Sequence, residues 1–321
     1  MNTEKQGKAA KVQLIEITEQ HSGQRLDNFL LARLKGVPRS RIYRLLRKGE
    51  VRVNKGRKEA KFRLNTGDMV RIPPVRVSQE KSVVPVPAVL GRSLERDILF
   101  EDETLIVLNK LPGFAVHGGS GIDSGVIEGL RQQRPEAPFL ELLHRLDRDT
   151  SGCLLIAKKR SVLRKLHELF RDDVIEKTYL ALFAGIWNRK KNLVDAPLLK
   201  NVSKGGERMV VVRRAGKPSQ TLFRRIRHLA HVQATLVQAE PKTGRTHQIR
   251  VHAAWLGHPL VGDQRYGSPE VNREFKSRGF RRLFLHAEKL KFVHPVTGQL
   301  LLINAPLPLE LVALINDEKQ I

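Results

Sequence analysis

Hydrophobic and polar positions change period several times along the chain, and the changes mark out its elements. Leu26, Phe29, Leu30 and Leu34 recur at helical spacing and predict a helix from Leu26 to about Leu34, ended by Gly36-Val37-Pro38. A second helix is expected from near Ser40, with Ile42, Leu45 and Leu46 on its apolar face. Arg41, Arg44 and Lys48 line another face of it, and Gly49 is placed to cap its carboxyl end. Short strands follow at Val51-Arg52-Val53 and at Met69-Val70-Arg71-Ile72, after turns at Asn54-Lys55-Gly56 and Thr66-Gly67-Asp68.

Val77 to Arg96 contains Pro85 and Pro87, mixed charges and no clear period, and reads as a linker. Regular structure is expected to resume at Asp97, with a strand over Leu105-Ile106-Val107-Leu108-Asn109-Lys110 ended by Pro112-Gly113. The run Val116-His117-Gly118-Gly119-Ser120-Gly121 is a glycine-rich loop without the lysine and spacing of a P-loop. An apolar run ending at Leu142-Leu143 and a second at Cys153-Leu154-Leu155-Ile156-Ala157 read as buried strands around a polar crossing. Next, Ser161 is expected to cap a helix carrying Val162, Leu166, Leu169 and Phe170, and Lys177 to Phe183 alternates as a strand. In Thr243-Gly244-Arg245-Thr246-His247-Gln248-Ile249-Arg250-Val251-His252, Gly244 permits a tight turn, and a helix after Thr246 carries Arg250 inward. No internal repeat or low-complexity segment is present.

Length and composition add scale and a partner. The chain has 321 residues, 40% of them hydrophobic, enough for one large domain and one small one. No window of eighteen apolar residues suggests a transmembrane helix, and the first twenty residues are unlike a secretory signal. One cysteine excludes an internal disulfide framework and a cysteine-based zinc site, and a bacterial-type cytoplasmic protein is the expectation. The net charge of +25 points to a polyanion. No stretch pairs a strong apolar face with a basic one, so nucleic acid is favoured over a membrane surface. Arg25 to Arg76 alone holds 16 Lys and Arg against 4 Asp and Glu.

The polar crossing, His144-Arg145-Leu146-Asp147-Arg148-Asp149-Thr150-Ser151-Gly152, concentrates candidate chemistry. By composition it could be a surface ion-pair loop. Its order, His-Arg-Leu-Asp and then Thr-Ser-Gly, resembles the active-site signature of the RluA family of RNA pseudouridine synthases. Several further stretches resemble the same family in matching order: Asn109-Lys110 with Gly113, Val116-His117, Lys177-Thr178-Tyr179, Gly216 to Thr221, Thr243 to His252, and the strands around Leu285-His286-Ala287 and Phe292 to Pro295. The basic helix pair, with Pro38-Arg39-Ser40-Arg41 and Gly49-Glu50-Val51-Arg52-Val53-Asn54, resembles the S4 RNA-binding module. The resemblance covers roughly Arg25 to Pro308.

This resemblance implies an α+β protein. A tail and lead-in strand (1–22), a small S4-like domain (23–76) and a linker (77–96) precede a catalytic domain (97–321) on a mixed, largely antiparallel sheet flanked by helices and loops. It implies Asp147 as catalytic aspartate, Tyr179 facing it, and Arg250 as its ion-pair partner. It also implies substrate contacts by Arg145, which fills the space of a flipped uridine, by Ile249, and by His117 in the active-site wall. Arg39, Arg41, Arg44, Lys48 and Arg52 are the expected RNA-binding residues of the S4 module, where phosphate contacts give affinity and position. The subgroup that joins both modules implies 23S ribosomal RNA of the large subunit, or its precursor, as partner. A monomer and no membrane association are expected.

The reaction breaks the N1–C1′ bond of uridine and joins C5 to the same sugar carbon, so it demands neither cofactor nor metal. One ionised carboxylate could attack the sugar, stabilise a cationic sugar or remove the 2′ proton. An arginine at close range keeps a carboxylate ionised. The base must leave its stack to be reached. Competing readings are an inactive RNA-binding assembly factor, and a hydrolase using Asp147 and Asp149 with water, which needs two suitably spaced carboxylates. A metal site among His247, His252, His258, His286 and His294 lacks carboxylates at ligand spacing.

Overall fold

The computed structural model describes residues 11–34, 36–75, 87–118, 124–204 and 207–316. The tail at 1–10, the expected linker's residues 77–86 and the glycine-rich run at 119–121 lie outside the described residues. The chain divides into two compact units, Met1–Pro85 and Val86–Ile321.

The first unit contains β1 (Gln13–Glu16), α1 (Leu26–Arg33), α2 (Arg39–Arg47), β2 (Arg52–Val53) and β3 (Met69–Ile72). The strands form an antiparallel sheet in the order β1-β3-β2. The apolar stripes of both helices supply its core, with Leu26, Leu30 and Ile42 fully buried. Gly49 takes a left-handed φ of 67° after α2, where it and Glu50 donate to the carbonyls of Leu46 and Leu45. Asp27, 1% exposed, ties the two helices together. Burial alone pushes its carboxyl up, but Arg25, Tyr43 and the Asn28 N–H all donate to it and hold it below its ordinary value.

The second unit opens with α3 (Ala88–Arg96), which corrects the expected linker. Leu90 and Leu94, one turn apart, are buried in the core of this unit. Pro87 stands at the N-cap, where a missing N–H breaks no helical bond, so the prolines misled the pattern. The remaining elements are β4 (Ile98–Glu101), β5 (Leu105–Lys110), α4 (Val126–Gln133), β6 (Glu141–Leu142), β7 (Ser151–Ala157), α5 (Arg160–Arg171), β8 (Glu176–Ala184), β9 (Lys191–Asp195), β10 (Leu198–Lys204), β11 (Glu207–Val212), β12 (Gln220–Leu229), β13 (Ala234–Pro241), α6 (Gln248–Trp255), α7 (Pro269–Ser277), β14 (Leu285–Val293), β15 (Leu300–Asn304) and α8 (Leu309–Asn316). Ser161 is not the cap of α5: Lys159 holds the extended cap position, and Ser161 falls within the first turn.

One mixed sheet carries this unit, in the order β4-β5-β7-β14-β8-β13-β12-β9, with β15 beside β14 and β6 beside β7. Its pairings are antiparallel except that of β7 with β14. That parallel contact is brief, joining Ser151 to His286 and Gly152 to Ala287. Beyond it the strands part, β7 turning to β6 and β14 to β15. The apolar run of β7 is buried along its whole length, as a central strand with both faces covered requires.

Gly152 closes the seam. Its φ is 108°, and a Cβ there would lie 2.2 Å from the Ala287 carbonyl oxygen. Relief of that clash requires β7 and β14 to separate, so Gly152→Ala is expected to cost at least about 2 kcal/mol. Urea unfolding of the two proteins measures this.

Candidate active site

The polar crossing is the loop that enters β7 at the seam. His144 anchors its start: Nε2 accepts the Leu155 N–H at 3.1 Å, and the ring stacks on Phe170. Lys110, the last residue of β5, anchors its end. This side chain is 1% exposed, and its ammonium donates to the carbonyls of Leu111, Phe114 and Arg148 at 2.8–2.9 Å. Burial pulls its pKa down to about 7, against the nearby charges of Asp149 and Asp147. Three accepting carbonyls call for all three ammonium protons, so the geometry favours the charged form.

Between these anchors stands Asp147, with its side chain 26% exposed. Arg250 Nη1 donates to its Oδ2 at 3.0 Å. Arg250 comes from the first turn of α6, which begins at Gln248, just after Thr246. The buried Gln248 amide fixes the helix start: its Oε1 accepts from Thr243 and the Arg245 N–H, and its Nε2 donates to Gln220 O and Thr221 Oγ1. A second carboxylate, Asp263, grips the other edge of the guanidinium, accepting from Nε and Nη2 at 2.8 Å each. Asp263 also accepts the N–H groups of Arg265 and Tyr266. Burial disfavours its charge, but Arg250 and these amides hold its pKa below the ordinary carboxylate value. Burial opposes the Arg250 cation too, and Asp263 and Asp147 together hold it charged.

Asp147 and Arg250 face a cavity of about 470 Å³, large enough for a small ligand. Arg145, Tyr179 and Ile249 line it as well. Tyr179 rises from β8 between Ala239 of β13 and Ala287 of β14. Burial, and then the charge of Asp147, push its hydroxyl pKa up, so it stays protonated. Arg145 is exposed at the cavity, and Ile249 is buried beneath it. His117 is not among the lining residues: its Nδ1 lies 2.9 Å from its neighbour's carbonyl, Gly118 O. Asp149 also lies outside the lining and faces Arg148 at 3.4 Å. Among the described residues, Asp147 is the one carboxylate lining the cavity, which leaves a two-carboxylate hydrolysis without its second group.

Sequence reasoning missed Asp263, Lys110 and Gln248. The signal for Asp263 was an aspartate and a tyrosine framed by turn glycines, Gly262-Asp263-Gln264-Arg265-Tyr266-Gly267. Three histidines take structural roles. His252 bridges Thr221 and Ala196 O, and His294 joins Thr104 to Asp102. His286 Nε2 meets Ala305 O, a pure acceptor, so Nδ1 must accept from Ser151 Oγ–H at 2.9 Å; that oxygen in turn accepts from Arg282. In the first unit Arg39, Arg41, Arg44, Lys48 and Arg52 are exposed, and among the described residues none forms an ion pair.

Comparison with known proteins places this geometry. Residues 104–255 match the RNA pseudouridylate synthase family, and residues 24–70 match the S4 domain. The chain is 58% identical over 298 residues to ribosomal large subunit pseudouridine synthase C of Yersinia pestis, covering 92% of each chain. The chain belongs to the RNA pseudouridylate synthase family. The synthase is also 54% identical over 299 residues to the pseudouridine synthase C of Escherichia coli (strain K12), covering 92% of this chain and 93% of that one. Among solved structures it resembles human RNA pseudouridylate synthase domain containing 4, with a TM-score of 0.57 and 27% identity over 70% of this chain and 94% of that one. A second human structure, RNA pseudouridylate synthase domain containing 1, gives 0.56 and 27% over 66% and 83%.

Two outcomes follow for the scaffold of the synthase. Lys110→Met leaves three carbonyls without their donor and is expected to cost about 3 kcal/mol or more in urea unfolding. Burial lowers the His286 pKa to about 4, so the folded ring stays neutral where the unfolded one, near 6.5, gains a proton. The neutral ring's contribution is therefore fully present above about pH 6.5 and is lost as pH falls towards 4, up to about 3 kcal/mol. His286→Gln should flatten this part of the stability curve in urea titrations across that window.

Proposed function

We propose that the synthase isomerises specific uridines of 23S ribosomal RNA in the large subunit, with Asp147 as the reacting carboxylate. The observation that carries the reading is the ion pair of Asp147 with the buried Arg250 at the wall of a nucleotide-sized cavity. The names of relatives at 53–58% identity, ribosomal large subunit pseudouridine synthase C, support the choice of RNA.

In this reading a target uridine leaves its stack and enters the cavity, and Arg145 at the rim fills the space it vacates. Tyr179 and Ile249 hold the uracil between a ring and an aliphatic side chain. Asp147 acts on the ribose, by attack at C1′ or by removing the 2′ proton, while the N1–C1′ bond breaks. The uracil turns, C5 joins C1′, the C5 hydrogen leaves as a proton and N1 gains one, while the Tyr179 ring stays against the base. Arg250 keeps the carboxylate ionised and oriented throughout. His117 approaches the RNA from the wall beside the cavity rather than from its lining.

The S4-like domain, 23–76, contributes affinity through Arg39, Arg41, Arg44, Lys48 and Arg52, which meet phosphates from an exposed basic surface. The catalytic domain extends from α3 onward. The protein works as a monomer in the bacterial cytoplasm, on 23S ribosomal RNA or the large-subunit precursor, without cofactor or metal.

Tritium release from ribosomal RNA labelled at uridine C5 tests the reaction, because joining C5 to the sugar must expel that hydrogen. Release is expected from the wild type and not from Asp147→Asn; equal release from both proteins sinks the assignment. For the S4 domain, Arg44→Ala and Lys48→Ala should each weaken binding of single-stranded RNA. Each should also lower the log–log salt slope by about 0.7 per lost phosphate contact. Slopes unchanged across a salt series remove these residues from the interface.

A further inference from the structure

His247 stands beside Asp147 in an arrangement that packing alone does not require. It occupies the cap position of α6 with a left-handed backbone, φ 54° and ψ 20°. A residue other than glycine pays conformational energy there, and such strain gathers where a side chain must be aimed. The ring lies edge-on to Tyr266, with its Nδ1 2.7 Å from the Tyr266 hydroxyl. Its other nitrogen, Nε2, points at Asp147 Oδ1 from 3.8 Å. The same tyrosine ring also supports the Arg250 guanidinium at 5.1 Å.

The hydrogen bonds choose the tautomer. The Val210 N–H donates to the Tyr266 hydroxyl oxygen at 3.2 Å. With that bond accepted, the hydroxyl proton is free to be donated to His247 Nδ1. An Nδ1 that accepts leaves the ring proton on Nε2, facing Asp147. Burial is the largest influence on the ring and lowers its pKa, with the charge of Asp147 acting in the opposite direction, so the ring is uncharged at neutral pH.

The two carboxylate oxygens of Asp147 therefore meet unlike partners. Oδ2 is taken by the Arg250 cation, whereas Oδ1 faces an N–H held just beyond hydrogen-bond range. One bond leaves a carboxylate free to turn about its own axis, and a second donor fixes that turn. At 3.8 Å the His247 N–H does not yet make that second bond, but catalytic hydrogen bonds that are long in the free enzyme often tighten once substrate binds.

We propose that His247 is a positioning residue, its Nε2–H aimed by Tyr266, that orients the Asp147 carboxylate so that Oδ1 is presented to the ribose of the bound uridine. The inference rests on Asp147 being the reacting carboxylate. It adds His247 and Tyr266 to the residues on which the rate depends.

Steady-state tritium release from C5-labelled ribosomal RNA tests this with the full-length wild type, Asp147→Asn, His247→Ala, His247→Asn and Tyr266→Phe. His247→Ala should lower kcat by roughly 10²-fold, the scale of a lost orientation, with KM within about twofold of wild type. His247→Asn tolerates the left-handed backbone and keeps an N–H, so it should recover roughly tenfold of that loss. Tyr266→Phe frees the tautomer and should lower kcat by about tenfold, again with little change in KM. If His247→Ala does not fold, the Asn and Phe variants decide. The proposal is overturned if the folded His247 variants and Tyr266→Phe keep kcat within about threefold of wild type, or lose activity through KM alone. Asp147→Asn separates the two readings. An inactive Asp147→Asn beside fully active His247 variants removes only the role of His247, whereas an active Asp147→Asn removes the assignment of Asp147 itself.

Discussion

The candidate active site depends on one buried guanidinium shared unequally between two carboxylates. Arg250 gives two parallel bonds to Asp263 and a single one to Asp147. Asp263 is fully buried, accepts two backbone amides as well on Oδ1, and serves to hold the cation. Asp147 receives one bond and keeps unshared lone pairs directed at the cavity. Identical side-chain chemistry is thus split by environment into a closed carboxylate and one open to the cavity. A lysine could not do this, because the split needs a planar fork with donors on two edges.

The sheet supplies the place where such a pair can form. Here β7 and β14 pair only through Ser151 with His286 and Gly152 with Ala287, and the loop bearing Asp147 leads directly into that contact. Its backbone is held at both ends by side chains that reach the main chain, His144 to Leu155 and Lys110 to Arg148. Polar anchors of this kind fix a loop in register with the strands it leaves, which apolar packing alone does not. Tyr179 reaches the same cavity from β8, on the other side of the seam, so the site draws on strands far apart in sequence.

The basic charge is divided in the same practical manner. On α2 the arginines stand exposed and free of acidic partners among the described residues, while Ile42, Leu45 and Leu46 are buried on the opposite face. In the catalytic unit, Arg250 and Lys110 are buried and fully engaged. The first arrangement suits a mobile polyanion, and the second suits geometry that must not vary.

The local pattern of the chain was enough for much of the architecture. The two basic helices, the strand runs of β5, β7 and β8, and the helix that opens after Thr246 were all legible, because spacing and turn residues act over a few positions. The order of residues around Asp147 was enough to indicate the family. Pattern reading failed at α3, where prolines that precede a helix look like those of a linker, and at Ser161, where a good capping residue lies two residues past the cap. Asp263, Tyr266 and Lys110 were not legible as parts of the site, since each acquires its role from hydrogen bonds that form only in the folded chain. Sequence alone determined which reactive groups the synthase carries and which segments bear them. Only the tertiary structure decided which carboxylate is closed off and which is left open, because that depends on how Arg250 is shared between Asp263, 13 positions away, and Asp147, 103 positions away.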